Sequence, residues 1–313
     1  MGNKSSQKKL SPKAQKQPMI SVIVPSYNQG RFLERTLLSI INQDCQNYEI
    51  IIMDGGSTDK SVEIIKKYAK KYPDKILWKS EKDKGQTDAI NKGLKLARGD
   101  ILAYLNSDDT YAAGAFSTIL DFFARNPDED IVHGIGHHID ENDNYICKVP
   151  SKPEPADSCS LYYGCVICQP ATYWRRKVFE KTGFFSDSLV YGMDYDYWIR
   201  ISRNFKIPFI EKHLANYRLH DASKTVSCKV EMSKTDLGVI KKNYGTVSIY
   251  SLWGYAYLFS KEKLGLKSET KLERLLFFFV CVSLLGMLSI SYRPTFDSDF
   301  IKRGIAYLRK PRW

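Results

Sequence analysis

The chain has 313 residues, 43% hydrophobic and 26% charged, which suffices for one substantial core and excludes a disordered chain. Its formal net charge of +12 is concentrated at the ends: residues 1 to 18 hold five lysines and no acid, and residues 291 to 313 hold six bases against Asp297 and Asp299. A nucleic-acid protein carries its basic stripe on the folded body, so nucleic acid is not an expected partner, whereas basic tails suit an anionic membrane surface.

The first 18 residues read as a disordered basic tail, although Met1-Gly2-Asn3-Lys4-Ser5-Ser6 also fits a myristoylation pattern. Ordered structure is expected from Met19, with Ile20 to Val24 as a buried parallel strand ended by Pro25. Arg31 to Asn42 has helical spacing and Glu49 to Met53 is a second apolar strand. The tight loop Asp54-Gly55-Gly56-Ser57-Thr58-Asp59 then leads to a helix over Ser61 to Lys71. Ile76 to Trp78 is a short strand, Thr87 to Ala97 a helix closed by Gly99, and Ile101 to Leu105 a strand. Alternation of this kind specifies a largely parallel α/β sheet with helices on both faces. A Pro-, Ser- and Lys-rich stretch from Lys148 to Ser158 divides a nucleotide half (19–147) from an acceptor half (148–225), and a helical, membrane-associated region is expected over 226–313.

Ligands bind beyond the carboxyl ends of the strands in such a sheet. Three polar loops stand there: Pro25-Ser26-Tyr27-Asn28, the Asp54 loop and Asn106-Ser107-Asp108-Asp109. No GxGxxG follows the first strand and no Walker loop is present, which disfavours dinucleotide oxidoreductases and P-loop phosphotransferases. An acidic strand-end loop can hold Mg2+ or Mn2+ against substrate phosphates, although an NSDD turn is also a common cap or loop. Asp194 and Asp196, two residues apart at an apparent helix start, offer a base for an attacking hydroxyl and a structural or N-cap carboxylate. Cys165 and Cys168 form one CxxC without a second pair at zinc spacing, and read as small apolar residues. Seven cysteines, odd in number and scattered, indicate reduced thiols in a cytosolic compartment. His137 and His138 fall on opposite faces if in a strand and cannot share a metal.

The ordered series Ser21 to Asn28, Asp54 to Asp59, Trp78 to Gly93, Asn106 to Asp109, Gln169-Pro170-Ala171-Thr172 and Met193 to Arg200 resembles the family 2 glycosyltransferases of the nucleotide-diphospho-sugar transferase (GT-A) fold. The resemblance spans about residues 19 to 225. It implies that Pro25, Tyr27, Asn28, Asp54, Asp83 and Gln86 hold the nucleoside, with Asn106 and Ser107 also on the donor. It implies further that Asp108, with a divalent cation (Mn2+ or Mg2+) and His220 completing the shell, holds the pyrophosphate, and that Asp194 is the base of an inverting transfer. Gln169, Trp198 and Arg200 fall on the acceptor side. Three departures stand out: Asn106 replaces the first aspartate of the DxD pattern, Met193 the glutamate before the base, and Ile90 an arginine that many relatives place before Asn91. The missing arginine means that the pyrophosphate contact comes from elsewhere. No QxxRW motif is present, so one sugar per encounter is expected. The alternative reading is a catalytically silent nucleotide-sugar-binding scaffold in a membrane complex, which the intact Asp108 and Asp194 disfavour.

Leu275 to Ile290 is sixteen largely apolar residues, about 24 Å as a helix and short of a bilayer core. With aromatics from Tyr250 to Phe259 and an amphipathic Phe300 to Trp313, this end reads as a peripheral or monotopic anchor on the cytoplasmic side, near a glycan or lipid-linked acceptor. The competing reading is a buried helical hairpin.

Overall fold

The computed structural model describes residues 19–151, 156–266 and 270–294. The expected basic tail (1–18) and the terminal helix over 300–313 lie outside the described residues.

In chain order the elements are β1 (Ile20–Ser26), α1 (Leu33–Ile41), β2 (Tyr48–Asp54), α2 (Ser61–Lys71), β3 (Ile76–Ser80), α3 (Gln86–Leu96), β4 (Ile101–Tyr104), β5 (Thr110–Tyr111) and α4 (Ala115–Arg125). They continue as β6 (Ile131–Ile139), β7 (Tyr145–Lys148), α5 (Ser158–Tyr163), a 3-10 turn Gln169–Ala171, β8 (Thr172–Arg175), α6 (Arg176–Thr182) and α7 (Met193–Ser202). Last come β9 (Phe209–Arg218), α8 (Lys224–Ser227), α9 (Lys229–Tyr244), α10 (Ile249–Glu262) and α11 (Lys271–Tyr292). They build one sheet of order β3-β2-β1-β4-β8-β6-β9-β5, with β7 paired to β6. Pairings among β1 to β4 are all parallel, as expected, and antiparallel pairings enter with β8. β1 runs through Pro25 to Ser26 instead of stopping at Val24. The carbonyl of Ile23 accepts from Leu105 and that of Ser26 from Gly55, so the proline nitrogen faces the β4 side, past the last β1–β4 pair. No ladder bond is lost there.

Period-two alternation divides the core between the two faces. Val22, Val24, Ile50, Ile52, Ile101 and Ala103 pack under α1, α2 and α4, whereas Ile23, Ile51, Met53, Leu102 and Tyr104 pack against α3, α7 and the C-terminal helices. α3 lies close on the sheet because Gly93 has no side chain: a Cβ there would sit 2.4 Å from Ile23 Cγ2. Neither expected boundary interrupts this core. β8 pairs with both β4 and β6 across residue 148, and Leu237, Ile240, Trp253 and Phe277 join the same apolar cluster as Tyr104 and Trp198.

The apolar helix near the C-terminus is longer than its sixteen-residue apolar run. A Thr270–Glu273 capping box starts α11 early, giving 22 residues, of which Glu273–Tyr292 is long and apolar enough to cross a membrane. Phe277, Cys281 and Leu285 pack toward α10, with Phe277 against Tyr257 and Phe278 against Trp253. Leu275, Leu276, Phe279, Val282, Met287 and Ile290 remain exposed. The helix thus combines a packed face with an open apolar one.

Candidate active site

The strand order changes direction between β1 and β4, and the crevice beyond their carboxyl ends opens into a cavity of about 630 Å³. Pro25, Tyr27, Asp83, Gln86, Asn106, Ser107, Asp108, Gln169 and Asp194 all line it, although they come from five separate stretches of sequence. Tyr27 presents its ring, 61% exposed, at the entrance. Asn28 takes a left-handed conformation and clamps the β1 and β2 loops together: its amide nitrogen donates to Ser57 Oγ (2.8 Å) and its Oδ1 accepts from the Thr58 amide (2.8 Å).

Asp54 departs from the expected contact with a nucleoside. It is 2% exposed, and its carboxylate already accepts from the amides of Gly56 and Ser57 and from the hydroxyls of Ser57 and Ser80. In this structure it shapes the loop. Asp83 stands closer to the opening, against Gly55, where a Cβ would lie 2.8 Å from Asp83 Oδ2.

A chain of side-chain amides spans the cavity floor. Gln86 Nε2 donates to Asn106 Oδ1 (2.6 Å), Asn106 Nδ2 donates to Asp109 Oδ2 (3.2 Å) and Gln169 Oε1 (3.4 Å), and Gln169 Nε2 donates to the Tyr104 carbonyl (2.8 Å). Asn106, which occupies the place of a carboxylate, therefore supplies donors that a carboxylate could not. Asp109 is almost wholly buried and accepts from the Arg218 amide, and burial, then the Asp108 charge, pushes its carboxyl well up. The buried Arg218 guanidinium donates to the carbonyls of Asp108 (2.7 Å) and Asp140 (2.8 Å) and pairs with Asp143. This fixes the loop: both acids line the cavity, but Asp109 is buried and held by Asn106 and the Arg218 amide, whereas Asp108 is the more open of the two.

His220 Nε2 lies 3.1 Å from Asp108 Oδ2, and its ring rests 4.7 Å from that of Phe32. At 3.1 Å the imidazole nitrogen and the carboxylate oxygen are within hydrogen-bond distance of each other. Among the described residues no group of three or more His, Cys, Asp and Glu could hold a metal.

Asp194 stands at the second position of α7, which starts at Gly192 in a left-handed conformation. Its Oδ1 accepts from the Tyr195 amide (2.9 Å), and the rest of the carboxylate faces the cavity. Burial pushes its proton affinity up, against the Tyr195 hydrogen bond and the Lys224 charge. Asp196 takes the structural role: it is fully buried and accepts from Arg200 Nε (2.9 Å) and Asn243 Nδ2 (3.2 Å). Neither aspartate caps α7, whose first position follows Gly192 without a side-chain cap.

Two acceptor-side expectations are corrected. Trp198 is completely buried against Trp174 (ring centroids 5.8 Å apart), so it is a core residue. Arg200 spends its guanidinium on Asp196 and on the carbonyls of Thr182 (3.0 Å) and Phe184 (2.8 Å). Arg200, six residues on from Asp194, falls on a different side of α7, whereas Trp198, one turn further along on the side of Asp194, is sealed under Trp174. Ile90 is likewise buried in the core, while Asn91 holds Phe185 and Asp187 ahead of α7. Cys168 is buried as expected, but Cys165 is exposed, and both thiols are free. His137 stacks on His213 and His138 meets Tyr217, so the adjacent histidines do face different ways.

The sequence reading missed Lys224, Tyr191 and Met232, which also line the cavity. Lys224 Nζ donates to Gln86 Oε1 (2.9 Å) and sits over the Tyr191 ring. Partial burial lowers its proton affinity, which the charges of Cys228, Asp108 and Asp194 oppose. No carboxylate forms a salt bridge with it among the described residues. The signal was its position, at the end of the polar segment that joins β9 to α8.

Comparison with known proteins agrees with this geometry. The chain belongs to glycosyl transferase family 2, whose model matches residues 21–183. A glycosyltransferase of Nostoc sp. is 33% identical over 229 residues, covering 69% of this chain and 70% of the relative. A PGL/p-HBAD biosynthesis glycosyltransferase of Mycobacterium tuberculosis is 30% identical over 188 residues, covering 60% and 71%. Among solved structures, S. aureus TarS residues 1–349 in complex with UDP superposes with a TM-score of 0.58 at 17% identity, covering 94% of this chain and 87% of that one. The mannosyltransferase PcManGT of Pyrobaculum calidifontis, in complex with GDP-Man and Mn2+, gives 0.55 at 15% identity, covering 98% and 85%. The fold is therefore GT-A, and the protein is a glycosyltransferase.

Proposed function

We propose that the chain transfers one sugar per encounter from a nucleoside-diphosphate donor to an acceptor hydroxyl, with inversion, in this cavity. The observation that carries the reading is that the Asp194 carboxylate and Asp108, paired with His220, face the same 630 Å³ space. Tyr27, Asp83 and Gln86 line the nucleoside end, with Asn28 and Asp54 holding its loops in shape. Asp108 and His220 would hold a divalent cation, which when bound supplies positive charge to the pyrophosphate as it leaves. Lys224 gives a second positive charge at the same place. Asp194 removes the proton from the acceptor hydroxyl, which makes the oxygen nucleophilic as it displaces the pyrophosphate at the anomeric carbon. Its raised proton affinity suits this task, since a stronger base gives a larger driving force for the transfer.

The exposed apolar face of α11 supports a seat on a membrane, which we place at the cytoplasmic side with a glycan or lipid-linked acceptor. The relatives named for PGL/p-HBAD biosynthesis and, at 27% identity, chondroitin synthase of Escherichia coli act in glycan or glycolipid assembly by their names, which is consistent with a surface-glycan role.

Incubation of the full chain with UDP-, GDP- and dTDP-sugars and Mn2+ or Mg2+ is expected to consume one donor, read as nucleotide release. Absence of binding to every donor, with a lipid-linked acceptor present, overturns the reading. Lys224→Ala is expected to raise the donor KM about 10-fold through loss of one charge-assisted contact, with a smaller change in kcat at saturating donor. Donor titrations of both proteins check this.

A further inference from the structure

The carboxyl of Asp236 is a partly buried titratable group that the chemistry above does not use. It lies on α9, four residues after Met232 and so on the helix face that Met232 turns to the cavity. Its Oδ1 rests against the backbone of Gly192: a Cβ at that glycine would come within 2.8 Å of it. Gly192 is the residue from which α7 starts, two positions before Asp194. No hydrogen bond or ion pair reaches the Asp236 carboxyl among the described residues. The titratable groups that face it are Asp194 and Tyr195 on α7 and Cys165 ahead of the 3-10 turn, and no cation is among them.

We infer that Asp236 is a positioning residue for Asp194, a second carboxyl, delivered by α9 against Gly192, whose charge state sets how strongly the base holds a proton. The inference rests on the reading of Asp194 as base. Three observations carry it independently of any titration. Met193 leaves Asp194 without an acidic neighbour in the chain, Gly192 leaves room where any side chain would expel the carboxyl, and Asp236 has no other partner to satisfy. Two like charges in one partly buried site oppose each other, so they titrate as a pair. Burial, then the charge of Asp194, pushes Asp236 up to about 7. Asp194 therefore ionises first. When Asp236 loses its proton at higher pH, reciprocity makes Asp194 the stronger base.

The kcat of the full-length enzyme, measured from acid to alkaline pH, is expected to show a second rise centred near neutral pH above the acid limb of Asp194. Asp236→Asn removes that second rise and lowers kcat on its alkaline side about 3-fold or more, with donor KM unchanged. Asp236→Glu retains the rise, which a merely structural role would not require. A wild-type profile in Asp236→Asn overturns the inference. Should that variant fail to fold, the 13C carboxyl resonance of Asp236 decides: a midpoint near neutral that falls in Asp194→Asn supports the pair, and an ordinary carboxylate midpoint in both refutes it. If Asp194→Asn itself leaves turnover intact, it is the base assignment that fails.

Discussion

Asp194→Asn is expected to lower kcat by about 10²- to 10⁴-fold, the range supplied by a positioned general base, while the donor binds as in the wild type. Asparagine preserves the shape of the side chain and can still accept from the Tyr195 amide through its Oδ1, so the start of α7 is kept. What it loses is the ability to accept the proton. The wild-type rate should fall with decreasing pH, because the working form is the carboxylate, and the fall should be centred above the usual aspartate value of 3.8, since burial favours the protonated form. The stability effect has the opposite sign. The unfolded chain releases this proton at lower pH than the native one, so the wild type loses stability as pH rises from the unfolded value through the raised native one. The variant has no such loss, and its thermal midpoint at neutral pH should equal or exceed that of the wild type. A variant that is inactive, donor-binding and no less stable would isolate catalysis from folding. Full turnover in Asp194→Asn would remove the assignment.

Asp108→Ala is expected to lower metal-dependent turnover by about 100-fold or more, since even residues that only orient a metal ligand are worth 10- to 100-fold in affinity or activity. Its backbone carbonyl continues to accept from Arg218, so the loop keeps its anchor. The side chain alone is removed, and His220 Nε2 is left without its carboxylate partner. Chelation of the wild type should reproduce the loss, with recovery on addition of Mn2+ or Mg2+, whereas the variant should recover only in part at high metal. Asp109→Asn makes the informative contrast. An asparagine there can still accept from the Arg218 amide but sets a second buried donor against Asn106 Nδ2, so the replacement should act on stability, read as a lower thermal midpoint, more than on metal dependence. Metal-independent turnover in the wild type, unaltered by Asp108→Ala, would leave the Asp108–His220 pair as an ordinary hydrogen bond.

The sequence alone determined the elements and the places where chemistry could occur. Short β-branched apolar runs such as Ile50-Ile51-Ile52 read as strands buried on both faces, and polar residues crowded behind them, at Asp54 and Asn106 to Asp109, mark where the sheet opens. Local spacing carries that information because it fixes which way successive side chains point. It does not fix which distant groups meet. That Asp54 would exhaust its carboxylate between its own loop and Ser80, that Asp109 and not Asp108 would be sealed behind Arg218, and that Trp198 and Arg200 would turn into the core all depend on contacts between segments far apart in the chain. The same is true of Lys224 and Asp236, ordinary charged residues in sequence, which acquire meaning only because the β9 loop and α9 fold back over the start of α7. A carboxylate or an ammonium is chemically defined by what solvates it, and in a folded chain that is decided by tertiary packing.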